Sequence, residues 1–85
     1  MKLKFTSVAS KQVEKLPKEI VKKFYKQALY LLDNPRHPSL RARKMSGEDK
    51  FEARIDRQYR FTFYLEGDSA VILSVGPHDT GLGKK

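Results

Sequence analysis

The stretch over residues 51–65 constrains the fold more than any other part of the chain. Phe51, Ala53 and Ile55 alternate with Glu52, Arg54 and Asp56; Tyr59, Phe61, Phe63 and Leu65 alternate with Arg60, Thr62 and Tyr64. A period of two is that of strands with one face buried and the other in solvent. If Ile55 and Phe61 share the core face, facing residues have equal parity and the connecting loop holds an odd number of residues. A three-residue loop, Asp56-Arg57-Gln58, then pairs Ile55 with Tyr59, Ala53 with Phe61 and Phe51 with Phe63. The same register sets Arg54 opposite Arg60 on the other face. Like charges directly opposite are unfavourable in a sheet. A bound anion between them is one way to relieve the pair; diagonal neutralisation by Glu52 and Asp56 is the other.

A second hairpin follows. Glu66-Gly67-Asp68-Ser69 reads as a tight turn, and the apolar strand over residues 70–75 needs cover on both faces. A two-residue Gly67-Asp68 loop places Arg60 beside Val75. Upstream the period changes. Residues 2–6 alternate as a half-buried strand, with Leu3 and Phe5 on one face. Ser7 can cap a short helix in which Ala9, Val13 and Leu16 fall at helical spacing. Pro17 suits the first turn of a longer helix whose stripe is Ile20, Phe24, Ala28 and Leu31, closed by Asn34-Pro35. A short basic strand over residues 40–45 precedes Ser46-Gly47. The order is β-α-α-β-β-β-β, an α+β fold with an N-terminal helical hairpin packed on one face of a mostly antiparallel sheet. Leu3, Phe5, Val13, Leu16, Ile20, Phe24, Leu31, Ala53, Ile55, Phe61, Phe63 and Leu73 are expected to share its core.

Size and composition close off whole classes of function. A chain of 85 residues is one small domain, expected over residues 1–79 with a flexible tail over 80–85. The absence of cysteine excludes disulfides, thiol catalysis and cysteine-ligated zinc. With two histidines, no metal or other cofactor is expected. No apolar run approaches the ~20 residues of a membrane span. The N-terminus lacks a signal-peptide core, so the expected location is the cytoplasm. The net charge of +8 is concentrated in residues 1–47, which hold twelve basic and three acidic side chains. A basic half of this kind suits a polyanion, either nucleic acid or an acidic protein.

The candidate site follows from the register. Beyond Val75 the sequence Gly76-Pro77-His78-Asp79 bends the chain and brings His78 towards Arg60 and Arg54. Histidine can transfer a proton in either direction near neutral pH. Beside two arginines and the basic residues Arg41, Arg43 and Lys44, it points to phosphoryl chemistry. Tyr64, on the Arg60 face, is the aromatic placed to stack a base. His37, between Arg36 and Pro38, is read as a loop-shaping residue. The glycine-rich tail from Thr80 is not a phosphate loop, because no strand and helix flank it.

These residues together resemble the RelE/ParE superfamily of toxins from type II toxin–antitoxin systems. The likeness runs over nearly the whole chain. It rests on Leu16-Pro17-Lys18-Glu19-Ile20, Asn34-Pro35, His37-Pro38-Ser39-Leu40, Lys44-Met45-Ser46-Gly47, Phe51-Glu52-Ala53-Arg54-Ile55, Tyr59-Arg60-Phe61-Thr62-Phe63 and Val75-Gly76-Pro77-His78-Asp79. The resemblance implies an acidic antitoxin partner and one of two activities. RelE-like members cut messenger RNA on the ribosome without metal, by attack of the 2′-hydroxyl on the adjacent phosphate; ParE-like members poison DNA gyrase. The resemblance favours the endoribonuclease, which inhibits translation. A catalytically weak module that only binds its antitoxin is a third reading. By the same resemblance Arg60 stabilises the transition state, His78 serves as general acid or base, and Arg54, Arg43 and Lys44 contact phosphates. The segment from His37 to Met45 holds no acid to match the glutamate base of some relatives. His78, with Asp79 orienting it, then carries the proton transfer.

Overall fold

The computed structural model describes residues 1–45 and 49–77. The elements, in order, are β1 (Lys2–Phe5), α1 (Ser7–Glu14), α2 (Lys18–Asp33), a 3-10 turn (Pro38–Leu40), β2 (Arg43–Lys44), β3 (Phe51–Arg54), β4 (Tyr59–Glu66) and β5 (Ser69–Pro77). Among the described residues the strands form one five-stranded sheet in the order β1-β5-β4-β3-β2, antiparallel except for the β1–β5 pair. This is the expected α+β order. The Ser46-Gly47 turn and the tail over 80–85 lie outside the described residues. No described helix is long and apolar enough to cross a membrane.

The helices start and stop where local chemistry directs. Thr6, rather than Ser7, caps α1: its hydroxyl accepts from Ala9 N at 3.1 Å. The same hydroxyl donates to Leu73 O at 3.0 Å, so the choice of cap is made by β5 as well as by the helix. Pro17 stands just before α2, and its carbonyl takes the N–H groups of Ile20 and Val21. Asn34 adopts an extended conformation and its side chain accepts from Arg36 N at 3.0 Å, which turns the chain out of α2.

The core lies between α2 and one face of the sheet. Phe24, Leu31, Leu40, Phe61, Phe63 and Ile72 are fully buried. The ring of Phe24 meets Phe61 edge-on at 5.3 Å, and Phe63 stacks on Phe51 at 5.4 Å, geometries that add to area burial. Leu3, Phe5, Val13 and Leu16 pack against this core while partly exposed.

Two expectations about β5 need correction. Leu73 is not a core residue, and Arg60 pairs with Gly76, not Val75. Both follow from a β-bulge. Phe63 pairs with Ile72 but Thr62 pairs with Ser74, which leaves Leu73 as the extra residue on β5. The expected short strand over 40–45 is also reduced: residues 38–40 form the 3-10 turn, Arg41 takes a left-handed conformation at φ 47°, and only Arg43–Lys44 pair with β3.

α1 occupies the edge of β5 beyond the point where β1 stops. Thr6 N donates to Ile72 O, and Val75 N donates to the Gln12 side chain at 2.7 Å. Backbone groups that a longer β1 would have bonded are thus satisfied by α1, and the open edge is closed.

Candidate functional site

The face of the sheet turned away from α2 carries the polar residues of the alternation. Directly paired residues share a face, so Arg43, Glu52, Thr62 and Ser74 form one row across four strands. Arg54, Arg60 and Gly76 form the next, roughly 7 Å further along the strands. The expected register of β3 and β4 is the one observed: Phe51 faces Phe63, Ala53 faces Phe61, Arg54 faces Arg60, and Ile55 N donates to Tyr59 O.

Two concave regions meet on this face. One, of about 270 Å³, is lined by Arg41, Arg43, Arg54 and Arg60 with Glu52 and Ala53. The other, of about 230 Å³, has Thr62 and Ser74 among its lining, with Gln12, Met45, Glu52, Arg60 and Gly76 around them. The Thr62 and Ser74 hydroxyls are 2.6 Å apart. Arg60 and Glu52 belong to both regions and join them into one site.

The charges of the site are not neutralised in the way the sequence allowed. Asp56 faces its own loop: one carboxylate oxygen accepts from Gln58 N at 2.8 Å and Tyr59 N at 3.0 Å, the other from Lys23 at 3.2 Å. Partial burial pushes its pKa up, but these two backbone donors and the lysine outweigh that and hold the carboxyl below its ordinary value. Glu52, whose side chain is only 16% exposed, pairs with Arg43 at 3.2 Å. Among the described residues no carboxylate therefore pairs with Arg54 or Arg60. The Arg60 guanidinium is instead anchored through Nη1, which donates to the carbonyls of Asp56 and Tyr59. Arg54 and Arg60 thus face each other without a paired carboxylate among the described residues, and the Arg60 guanidinium keeps donors beyond the one its backbone carbonyls take.

Of the residues singled out from the sequence, Arg41, Arg43, Arg54 and Arg60 come together. Lys44 does not line the site and pairs with Asp49 at 3.7 Å. Tyr64 lies on the same face but pairs with Val71, four residues along β4 from Arg60, a separation of about 13 Å. His78 and Asp79 lie outside the described residues. His37 accepts from Ser39 N and stacks on Tyr30 at 4.0 Å, the loop-shaping role expected of it.

Sequence reasoning gave Glu52 only as a counter-charge to the arginines and did not single out Gln27. Glu52 lines both regions. Gln27 is a buried residue of α2 whose amide donates to Ser39 O at 2.9 Å and Arg54 O at 2.7 Å. It ties the loop before Arg41 to the end of β3. Nothing in the helical pattern around it marks that role.

No protein-family model matches the sequence, and no curated protein does. Solved structures do. A YoeB/ParE toxin from Agrobacterium tumefaciens aligns at TM-score 0.82 and 18% identity, over 92% of this chain and 99% of that one. A RelE–RelB complex from the archaeon Pyrococcus horikoshii aligns at 0.78 and 21%, over 93% and 96%. A RelBE toxin–antitoxin complex from Mycobacterium tuberculosis aligns at 0.76 and 25%, over 89% and 88%. The expected RelE/ParE fold is the fold observed, and the solved structures that share it are toxins of toxin–antitoxin systems.

Proposed function

We propose that the chain is the toxin of a type II toxin–antitoxin pair and that it cleaves messenger RNA on the ribosome. One observation carries the reading: Arg54 and Arg60 face each other across β3 and β4 with no carboxylate partner among the described residues. A phosphodiester is the anion that fits a concave site of this size with a polar floor.

In the proposed reaction the RNA 2′-oxygen bonds to the adjacent phosphorus and the bond from phosphorus to the 5′-oxygen breaks. The products are a 2′,3′-cyclic phosphate and a 5′-hydroxyl. Negative charge grows on the phosphoryl oxygens in between, where Arg60 and Arg54 stabilise it. Arg60 is suited to this because two backbone carbonyls already hold its guanidinium, so little freedom is lost on binding. Glu52 accepts the proton of the 2′-hydroxyl. His78, which follows Pro77 where β5 passes Arg60, gives a proton to the 5′-oxygen, with Asp79 orienting it. Arg41 and Arg43 contact flanking phosphates. The complexes among the fold relatives support an antitoxin as partner for this chain.

The test is to add the protein to translating ribosomes and map the RNA ends. Arg60→Ala is expected to lose cleavage by about 10²–10³-fold. His78→Gln should slow it by about 10²–10⁴-fold with ribosome binding retained. Intact RNA with inhibited gyrase supercoiling would replace this reading with the ParE-like one. RNA and gyrase both unaffected would leave a module that only binds its antitoxin.

A further inference from the structure

The loop between β3 and β4 carries the anchor of Arg60. Nη1 of the guanidinium donates to the carbonyl of Asp56, which opens the loop, and to that of Tyr59, just after it. Three-residue hairpin loops commonly turn on a residue in the left-handed region, favoured by glycine. Asp56, Arg57 and Gln58 include neither glycine nor proline, and none of them has a positive φ.

A side chain closes the turn instead. One carboxylate oxygen of Asp56 accepts from Gln58 N at 2.8 Å and from Tyr59 N at 3.0 Å. This is an Asx-type bridge, and it spans the peptide unit to which Asp56 O belongs. Turning that carbonyl away from Arg60 would break the bridge. Tyr59 O, the other acceptor, is held by the hairpin itself, through Ile55 N at 3.0 Å and Asp56 N at 3.3 Å. Lys23 reaches from α2 to the second carboxylate oxygen at 3.2 Å. Its side chain is 54% exposed, so the ion pair adds little stability, but it turns the carboxylate towards the loop and α2. With both oxygens engaged there, Asp56 is not a counter-charge for the arginine cluster.

We propose that Asp56 is the positioning residue of Arg60: its carboxylate acts as a hydrogen-bond acceptor that fixes the loop carbonyl on which the guanidinium is aimed, and not as a charge. Aim matters because the fork of guanidinium donors is rigid, and a misplacement of about 1 Å can cost ~10²-fold in rate. The positioning stands on these bonds alone; its effect on cleavage rests on reading Arg60 as the group that stabilises the transition state.

Asp56→Asn and Asp56→Glu separate acceptor from charge. The first keeps an oxygen at the same reach and drops the charge. The second keeps the charge on a chain one methylene longer, which no longer closes on Gln58 N and Tyr59 N. Side-chain NMR of the full chain with nitrogen-labelled arginine reads the guanidinium directly. In the wild type, bonding to the loop should hinder rotation and give Arg60 separate Nη1 and Nη2 signals, while exposed Arg57 gives one averaged signal. Asp56→Asn should keep the Arg60 signals separate and Asp56→Glu should merge them. Merged signals in the wild type or in Asp56→Asn, or separate ones in Asp56→Glu, overturn the proposal.

Cleavage on translating ribosomes, below the melting transition of every variant, is the second arm. Asp56→Glu should lower kcat by about 10–100-fold with KM within about twofold, and Asp56→Asn should stay near wild type. Combined with Arg60→Ala, Asp56→Glu should cause no further loss, because the two act as one unit. A merely stabilising residue would shift Tm alone, or would add its loss independently of Arg60; either result overturns the role in cleavage. The expected NMR pattern in a protein that cuts no RNA defeats the nuclease reading and leaves the positioning of Arg60 standing.

Discussion

Gln27 offers the most direct test of how the site is held. Its amide donates to two backbone carbonyls, Ser39 O at 2.9 Å and Arg54 O at 2.7 Å, from a position only 8% exposed. Gln27→Leu keeps the volume roughly constant and removes both donors. Each lost bond is worth about 0.5–1.5 kcal/mol net, and a buried carbonyl left without a donor costs about 1–3 kcal/mol. Ser39 is exposed and can recruit water, so the main penalty falls on Arg54 O. The expected loss is about 2–3 kcal/mol, or a drop in Tm of roughly 10–20 °C for a domain of this size. Gln27→Glu separates bonding from size. At neutral pH its carboxylate would face two carbonyl oxygens, so its pKa in the folded protein must rise above the unfolded value near 4.3. The protonated form can donate one bond. A group with a raised folded pKa loses stability as pH rises and regains it as pH falls. The gap in Tm between Gln27→Glu and wild type should therefore narrow from pH 7 to pH 4. Urea and thermal melts followed by circular dichroism at both pH values measure this. A Gln27→Leu variant that melts like wild type, or a Glu variant whose deficit is independent of pH, would refute the reasoning.

Phe24→Ala and Phe61→Ala each delete a fully buried ring from the same edge-on pair and should cost about 3–5 kcal/mol in urea titrations. Asp56 has a folded pKa below its unfolded value, so its contribution is complete above about pH 4 and is lost as pH falls through the folded value. The Tm difference between wild type and Asp56→Ala should accordingly shrink on acidification, the same trend as for Gln27→Glu but from a stabilising native group. If the four arginines lining the cluster contact RNA phosphates, log K against log salt should have a slope near about −3, and Arg54→Ala should make it shallower by about 0.7.

The hairpin register was legible because a period of two is a local signal that leaves one choice of parity. Placing Ala53 opposite Phe61 places Arg54 opposite Arg60, and both pairings are observed. The α2 stripe was legible for the same reason: Ile20, Phe24, Ala28 and Leu31 are all buried. What could not be read is what strands and helices decide jointly. Asp56 looked like a counter-ion for the arginines by its position, but the N–H groups of its own loop and Lys23 claim both of its oxygens. Gln27 was not singled out at all, because its acceptors, Ser39 and Arg54, are 12 and 27 residues away.

The bulge at Leu73 is the clearest case, and it shapes the site. No glycine, proline or break in pattern marks it, since Leu73 continues an apolar run. The groups that hold it come from the other end of the chain. Thr6 gives its hydroxyl proton to Leu73 O and the Gln12 side chain takes Val75 N, across 67 and 63 residues of sequence. With the extra residue present, Arg60 lies beside Gly76, where an added Cβ would meet nothing within 4 Å. Without it the register continues from Phe63–Ile72, and Arg60 would face Val75, a core residue, in conflict with the polar face it occupies. The bulge thus lets β5 bury Ile72 and Val75 on one face while keeping the space beside Arg60 open on the other. α1 closes the sheet edge and, by the same bonds, sets the phase of the strand that borders the site.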